Sequence, residues 1–168
     1  MSPVGRSESG PEGDEPQRKA FRKACDFLAR RPHSARQLRQ KLSRTFEPDT
    51  VEHVLDRLAA LRYLDDSRFA LEYAAERLER SPRGTAMLVA ELRSRGVDAE
   101  TARRAVKQAL NELGQDETGL ALRAAGRRTE LLSLLDKDER RNKLLRFLTG
   151  RGFSSEAALT AVEKLLDS

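Results

Sequence analysis

The chain has 168 residues, enough for one ordinary domain or a few small helical modules that share packed faces, and too few for two large domains. Isoleucine is absent and Ala, Leu, Arg and Glu dominate, the residues that lose least on entering a helix, so the composition argues against a sheet and for an all-α fold. A formal net charge of +5 admits nucleic acid or an acidic protein surface as partner, and equally a salt-bridged solvated surface, while a single cysteine excludes an internal disulfide and a Cys-rich metal site.

Residues 1–16, rich in Ser, Gly, Pro, Glu and Asp, bury too little apolar surface to offset ordering entropy and are expected to be a disordered acidic tail. From Gln17 onward apolar residues recur at helical spacing between short stop and start signals. They predict about nine helices, near 17–31, 34–45, 48–61, 66–80, 84–95, 98–113, 117–134, 137–150 and 154–167. On the first, Cys25 shares a face with Phe21, Ala24 and Leu28, the place of a core residue rather than a nucleophile. Ser34 and Gln37 form a capping box for the second, which gives the adjacent His33 a structural setting, and His53 has no second ligand at metal spacing. Asp65-Asp66 is the one conspicuous acidic pair. Asp65 sits where the fourth helix needs an N-cap, Asp66 adds negative charge at the positive helix end, and Leu64 and Phe69 are spaced as a hydrophobic staple, so a cap is favoured over a metal site.

Three segments repeat one pattern: Leu38, Leu42, Phe46, Asp49, Leu55; then Leu88, Leu92, Val97, Glu100, Val106; then Leu144, Leu148, Phe153, Glu156, Val162. Each is a helix, a tight turn and a second helix. In the second and third copies Gly96 and Gly152 can take the left-handed conformation just past a helix end, setting Val97 and Phe153 opposite Leu92 and Leu148. The same apolar residue precedes the next N-cap, Asp98 or Ser154, so one side chain fixes both helices. The first copy is one residue shorter and lacks the glycine, so a differently closed turn is expected before Pro48. Such a period implies tandem three-helix repeats over 17–65, 66–115 and 116–168, in an elongated, gently curved array.

No catalytic residue emerges: serines stand at helix ends rather than in a nucleophile elbow, and no Gly-rich phosphate loop precedes Lys-Ser or Lys-Thr. No cofactor and no metal are expected. No stretch approaches the roughly 18 apolar residues of a membrane span, and no apolar signal segment opens the chain, so a cytoplasmic protein without membrane contact is expected. The apolar residues can all be assigned to packing within and between repeats, which makes a monomer the default. What remains is basic: Arg30-Arg31, Arg36, Arg39, Lys41 and Arg44, then Arg77, Arg80 and Arg83 around Gly84, and further clusters along the last two repeats. Stacked repeats could lay these along one side as a stripe that meets phosphates without reading sequence, while Glu47, Asp56, Glu76, Glu79 and Glu91 permit the alternative of pairing on neighbouring turns. With no tryptophan and only Tyr63 and Tyr73 outside the phenylalanines, a base-stacking platform is missing.

The run Tyr63-Leu64-Asp65-Asp66-Ser67-Arg68-Phe69-Ala70, followed by Arg77, Gly84, Leu88 to Leu92 and Arg95-Gly96-Val97, resembles the central signature of the RecX family, bacterial regulators of the RecA recombinase. Leu28 through Leu42 resembles that family's N-terminal part, and Arg151-Gly152-Phe153 its third repeat; the likeness spans about Ala20 to the C-terminus. Arg62 stands where the family commonly has glycine. The resemblance implies a non-catalytic protein that lies in the helical groove of RecA–DNA filaments and lowers RecA's ATP hydrolysis and strand exchange, modulating recombinational repair and the SOS response. Within that reading Arg68, Arg77, Arg80 and Arg83 are the candidates for RecA contact. Arg39, Lys41, Arg44 and Arg146 are those for weak, sequence-independent contact with single- or double-stranded DNA or an acidic surface. Leu64, Asp65, Asp66, Phe69, Gly84, Gly96 and Gly152 are assigned to structure. Two other readings stay open: a general DNA-binding protein, since three-helix units resemble helix-turn-helix domains, and a helical adaptor for another acidic protein.

Overall fold

The computed structural model describes residues 14–167, so the expected acidic tail falls outside the described residues except at its end. There the expectation is corrected: Glu15 and Pro16 already belong to the first helix, α1 (Glu15–Arg30). A proline in the first turn forfeits no bond, because the first N–H groups of a helix have no internal acceptor. Asp14 closes that end, donating its N–H to Gln17 Oε1 at 3.2 Å.

The remaining helices are α2 (Ala35–Leu42), α3 (Pro48–Ala60), α4 (Asp66–Arg80), α5 (Thr85–Ser94), α6 (Ala99–Glu112), α7 (Glu117–Leu131), α8 (Lys137–Gly150) and α9 (Ser155–Leu166). No strand occurs among the described residues, and no helix among them is long and apolar enough to cross a membrane. Their starts follow from side-chain caps. Ser34 Oγ accepts from Gln37 N–H and Gln37 Oε1 from Ser34 N–H, a complete capping box, and Asp98, Asp116, Asp136 and Ser154 each accept from a first-turn amide.

Their ends are set by backbone handedness. Gly96 and Gly152 have φ of 94° and 78°. Val97 N–H reaches Leu92 C=O and Phe153 N–H reaches Leu148 C=O, each at 3.2 Å, while Gly96 and Gly152 bond to Arg93 and Thr149. This is the Schellman closure expected from the repeat. The first copy, without glycine, closes on a single carbonyl: Leu42 O accepts from both Thr45 and Phe46, and α2 stops three residues short of its expected end. α3 ends instead on Arg62, which holds φ at 59° while Tyr63 N–H bonds to Leu58 C=O at 2.9 Å. Arginine there carries the steric cost of the left-handed region that glycine lacks.

Two compact units result, one ending at Asp65 and the other beginning at Asp66. The first packs α1, α2 and α3 around Leu38, Leu42, Val51, Val54, Leu55, Leu58 and Leu64. Cys25 is half-buried against this core. His33 is buried beside it; its Nδ1 lies 2.8 Å from Arg31 O, which makes Nδ1 the protonated nitrogen, and its buried Nε2 has no hydrogen-bond partner among the described residues. Burial above all holds the imidazole below its ordinary pKa.

The second unit runs α4 to α9 around one continuous core, so the second and third repeats share their interior. Alanines line the contacts of α4 with α6 and α7 with α9 (Ala70, Ala74, Ala102, Ala105, Ala109; Ala121, Ala125, Ala158, Ala161), allowing close helix approach. The repeats are also joined through backbone. Gly84 N–H donates to Arg151 O at 2.9 Å, and a Cβ on Gly84 would stand 1.8 Å from Gly152 O and 2.2 Å from Phe153 N. Thr85 N–H and Oγ1 both donate to Glu117 Oε1, at 2.9 and 3.0 Å.

Three stability measurements check this account. Arg62→Gly should raise the urea midpoint by the equivalent of about 1 kcal/mol with an unchanged slope; no gain would mean that the left-handed turn costs nothing here. Gly84→Ala should lower stability by about 3 kcal/mol because only backbone could yield, whereas Gly126→Ala in α7, with nothing within 4 Å of its Cβ position, should raise it by about 1 kcal/mol. Because His33 is held neutral in the fold and charges more easily once unfolded, the first unit should keep full stability above the ordinary imidazole pKa and lose it as pH falls below about 6.5. His33→Leu should flatten that slope, and an unchanged pH profile would show that His33 does not cause it.

Candidate functional site

In the second repeat several charged groups converge on one carboxylate. Glu91 sits on α5 with its side chain only 17% exposed. Its Oε1 accepts from Arg83 Nη1 at 2.7 Å, and its Oε2 accepts from the Tyr73 hydroxyl at 2.6 Å. Arg77 Nε donates to the same tyrosine oxygen at 3.0 Å and lies 3.6 Å from Glu91 Oε2. Arg95, just past α5, places its guanidinium 4.4 Å from the Tyr73 ring centre and donates to the Glu91 backbone carbonyl. Three guanidinium groups against one carboxylate leave a positive surplus, held on a half-buried aromatic ring.

Each member follows from local spacing. Tyr73 and Arg77 stand one helical turn apart on α4, as do Arg83, Met87 and Glu91 into and along α5, and Glu91 and Arg95 at its end. Burial, then the bond to Glu91, pushes the Tyr73 phenol above its ordinary pKa, so it remains a donor, and the bond to Tyr73 raises Arg77 as well. Arg83 Nε is buried and has no acceptor among the described residues, which leaves one donor of the fork unmatched there.

Of the four residues expected to contact a protein partner, the cluster thus gathers Arg77 and Arg83. Arg68 and Arg80 instead bond along α4, to Glu72 at 2.8 Å and Glu76 at 2.7 Å, in well-exposed pairs. Tyr73, Glu91 and Arg95 were not singled out as site residues from the sequence; the signal that could have found them is the run of i, i+4 spacings converging on Glu91 from both sides.

The expected DNA or acidic-surface residues divide between the two units. On and just beyond α2, Arg39 makes a bidentate pair with Glu52 at 2.6 and 2.8 Å, Lys41 places its ammonium 4.6 Å from the Phe27 ring centre, and Arg44 is exposed. The Arg39 bond holds the Glu52 carboxyl below the usual carboxylate range. Arg146 is exposed on α8, its Nε 3.4 Å from Asn142 O. Among the signature residues, Leu64 is buried in the first unit's core and Phe69 in the second's; Asp65 immediately precedes α4 and Asp66 is its first residue. Among the described residues no three potential ligands gather into a metal-binding group.

Comparison with known proteins identifies two helical domains that hold most of these residues. Residues 20–58 match the family model described as the first three-helix domain of RecX, and residues 65–110 that of the second, which contains the whole Glu91 cluster. The regulatory protein RecX of Prosthecochloris aestuarii is 35% identical over 91% of this chain and 97% of its own length. That of Pelodictyon phaeoclathratiforme is 33% identical over 85% and 86%. The crystal structure of RecX from Lactobacillus salivarius superposes with a TM-score of 0.80 at 20% identity, covering 90% of this chain and 97% of that one, and so shows a shared fold. Two successive domain matches and relatives alike over nearly their whole length establish that the chain belongs to the RecX family of regulatory proteins.

Proposed function

We propose that this chain regulates a RecA recombinase: it binds RecA–DNA filaments and lowers their ATP hydrolysis and strand exchange, modulating recombinational repair and the SOS response in the cytoplasm. It does so without catalysing a reaction, as a monomer that needs no cofactor. The observation that carries this reading is the Glu91 cluster, an ordered surplus of arginine inside the domain matched to RecX. Guanidinium groups fixed by a tyrosine and a shared carboxylate lose little freedom on meeting an acidic protein surface, which is how pre-ordering improves binding. Contacts with DNA are secondary in this reading, made by exposed cations such as Arg44 and Arg146 that carry no sequence information.

A second reading, a general DNA-binding protein, is favoured by the net charge of +5 alone. RecA's single-stranded-DNA-dependent ATP hydrolysis, titrated beside a DNA-only binding curve, separates them. Suppression well below one molecule per RecA protomer supports filament regulation. Suppression only where the protein saturates bare DNA supports lattice competition. In the same assay the folded variant Arg68→Ala/Arg77→Ala/Arg80→Ala/Arg83→Ala should require about tenfold more protein for equal suppression. Undiminished potency of that variant, with helicity retained by circular dichroism, would remove the central arginines from the contact.

A further inference from the structure

The second repeat carries an open groove. It lies between α5 and α6, about 470 Å³ in volume, with Val89, Val106 and Leu110 as its floor and Arg103 and Lys107 on its rim. Both cations are exposed, and neither makes an ion pair or hydrogen bond among the described residues. At the groove's other edge, Thr85 is already satisfied by Glu117.

Repeat register shows what is special here. Leu38, Leu88 and Leu144 are equivalent before the turn, and Leu55, Val106 and Val162 after it. Position by position, Arg39 corresponds to Val89 and Leu145, Glu52 to Arg103 and Leu159, and Asp56 to Lys107 and Glu163. In the first repeat the two helices are latched across this seam by the bidentate Arg39–Glu52 pair. In the second, one latch position is apolar and the other is a cation with no carboxylate to meet. The rim is positive only there; the residues equivalent to Lys107 are acidic in both other repeats.

We propose that this groove is a docking site for an acidic amphipathic helix of a protein partner, its apolar face on Val89, Val106 and Leu110 and its carboxylates on Arg103 and Lys107. Phosphate chemistry fits the two cations but not the apolar floor, which a helix with anchors at i, i+3/i+4 and i+7 would cover. The site is separate from the Glu91 cluster and does not depend on the identity of the filament proposed above.

The test is fluorescence anisotropy with the full chain. The probe is a labelled peptide of about four helical turns carrying Leu at i, i+3/i+4 and i+7 and Glu on its other face, with a scrambled peptide of the same composition as control. The patterned peptide should bind at least about tenfold tighter than the scrambled one. Val89→Arg/Arg103→Glu transplants the first repeat's latch; it should cut binding about tenfold while leaving the melting temperature unchanged or higher. Lys143→Gln, which removes one exposed charge from α8, should change binding by less than about twofold. No binding of the patterned peptide at about 1 mM, equal binding of both peptides, or full binding by the latched variant would each overturn the proposal. So would a latched variant that loses affinity for a single-stranded oligonucleotide but not for the peptide, since the groove would then be a nucleic-acid surface.

Discussion

The second unit depends on an approach of backbone to backbone that only glycine permits. Gly84 lies so close to Gly152 and Phe153 that no side chain can intervene, and its N–H is spent on Arg151 O. That contact fixes where α5 begins relative to the turn between α8 and α9. It therefore sets the direction in which Arg83 leaves the chain and the face on which α5 carries Glu91. Gly152 is constrained in the same place twice over, by its own left-handed conformation and by Met87, whose Cβ stands 2.6 Å from where a Gly152 Cβ would be. The two repeats are thus coupled through positions that a sequence reader would otherwise take for two unrelated turns.

From that coupling follows the separation of roles within the second repeat. One side of α5 contributes Glu91 to an aromatic and arginine network in which a mostly buried carboxylate holds several donors. Such a network is ordered by mutual satisfaction of its members, and its charge is worth more than that of the exposed pairs Arg68–Glu72 and Arg80–Glu76, which solvent screens and side-chain entropy weakens. Another side of α5 contributes Val89 to the groove against α6. A helix of ten residues therefore presents two different chemistries because its ends are held rigidly by turns.

The three repeats show how duplicated architecture diverges. The buried positions keep their apolar character throughout: Leu38, Leu88 and Leu144, or Val51, Ala102 and Ala158, are all nearly inaccessible. The positions between them do not. Arg39 and Glu52 form an ion pair where their counterparts are Val89 and Arg103, and the turn that glycine closes in two repeats is closed by a shared carbonyl in the first. Packing density penalises change in the interior, whereas the seam between two exposed helix faces can be an ion pair or an open groove at little cost in stability.

Helix number, the caps at Ser34, Asp98 and Ser154 and the Schellman turns at Gly96 and Gly152 could be read from the chain alone, because each is governed by contacts between residues only a few positions apart, and the family could be read from its signature runs. Boundaries were read less well: α2 and α7 each stop three residues before their expected ends, and Glu15 and Pro16 were assigned to the tail although a proline fits the first turn of a helix. Arg77 and Arg83 were legible as candidates by charge. What the sequence did not disclose was that they meet on Glu91 beside Tyr73 while Arg68 and Arg80 do not, since α4 and the start of α5 contribute to that meeting from opposite sides of a turn. Nor did it disclose why Gly84 must be glycine, because its neighbours Gly152 and Phe153 lie about seventy residues away along the chain. Local rules of capping and handedness determine the elements; only the tertiary structure decides which distant backbones touch and which charges share a partner, because those depend on the packing of whole helices rather than on the spacing of residues within one.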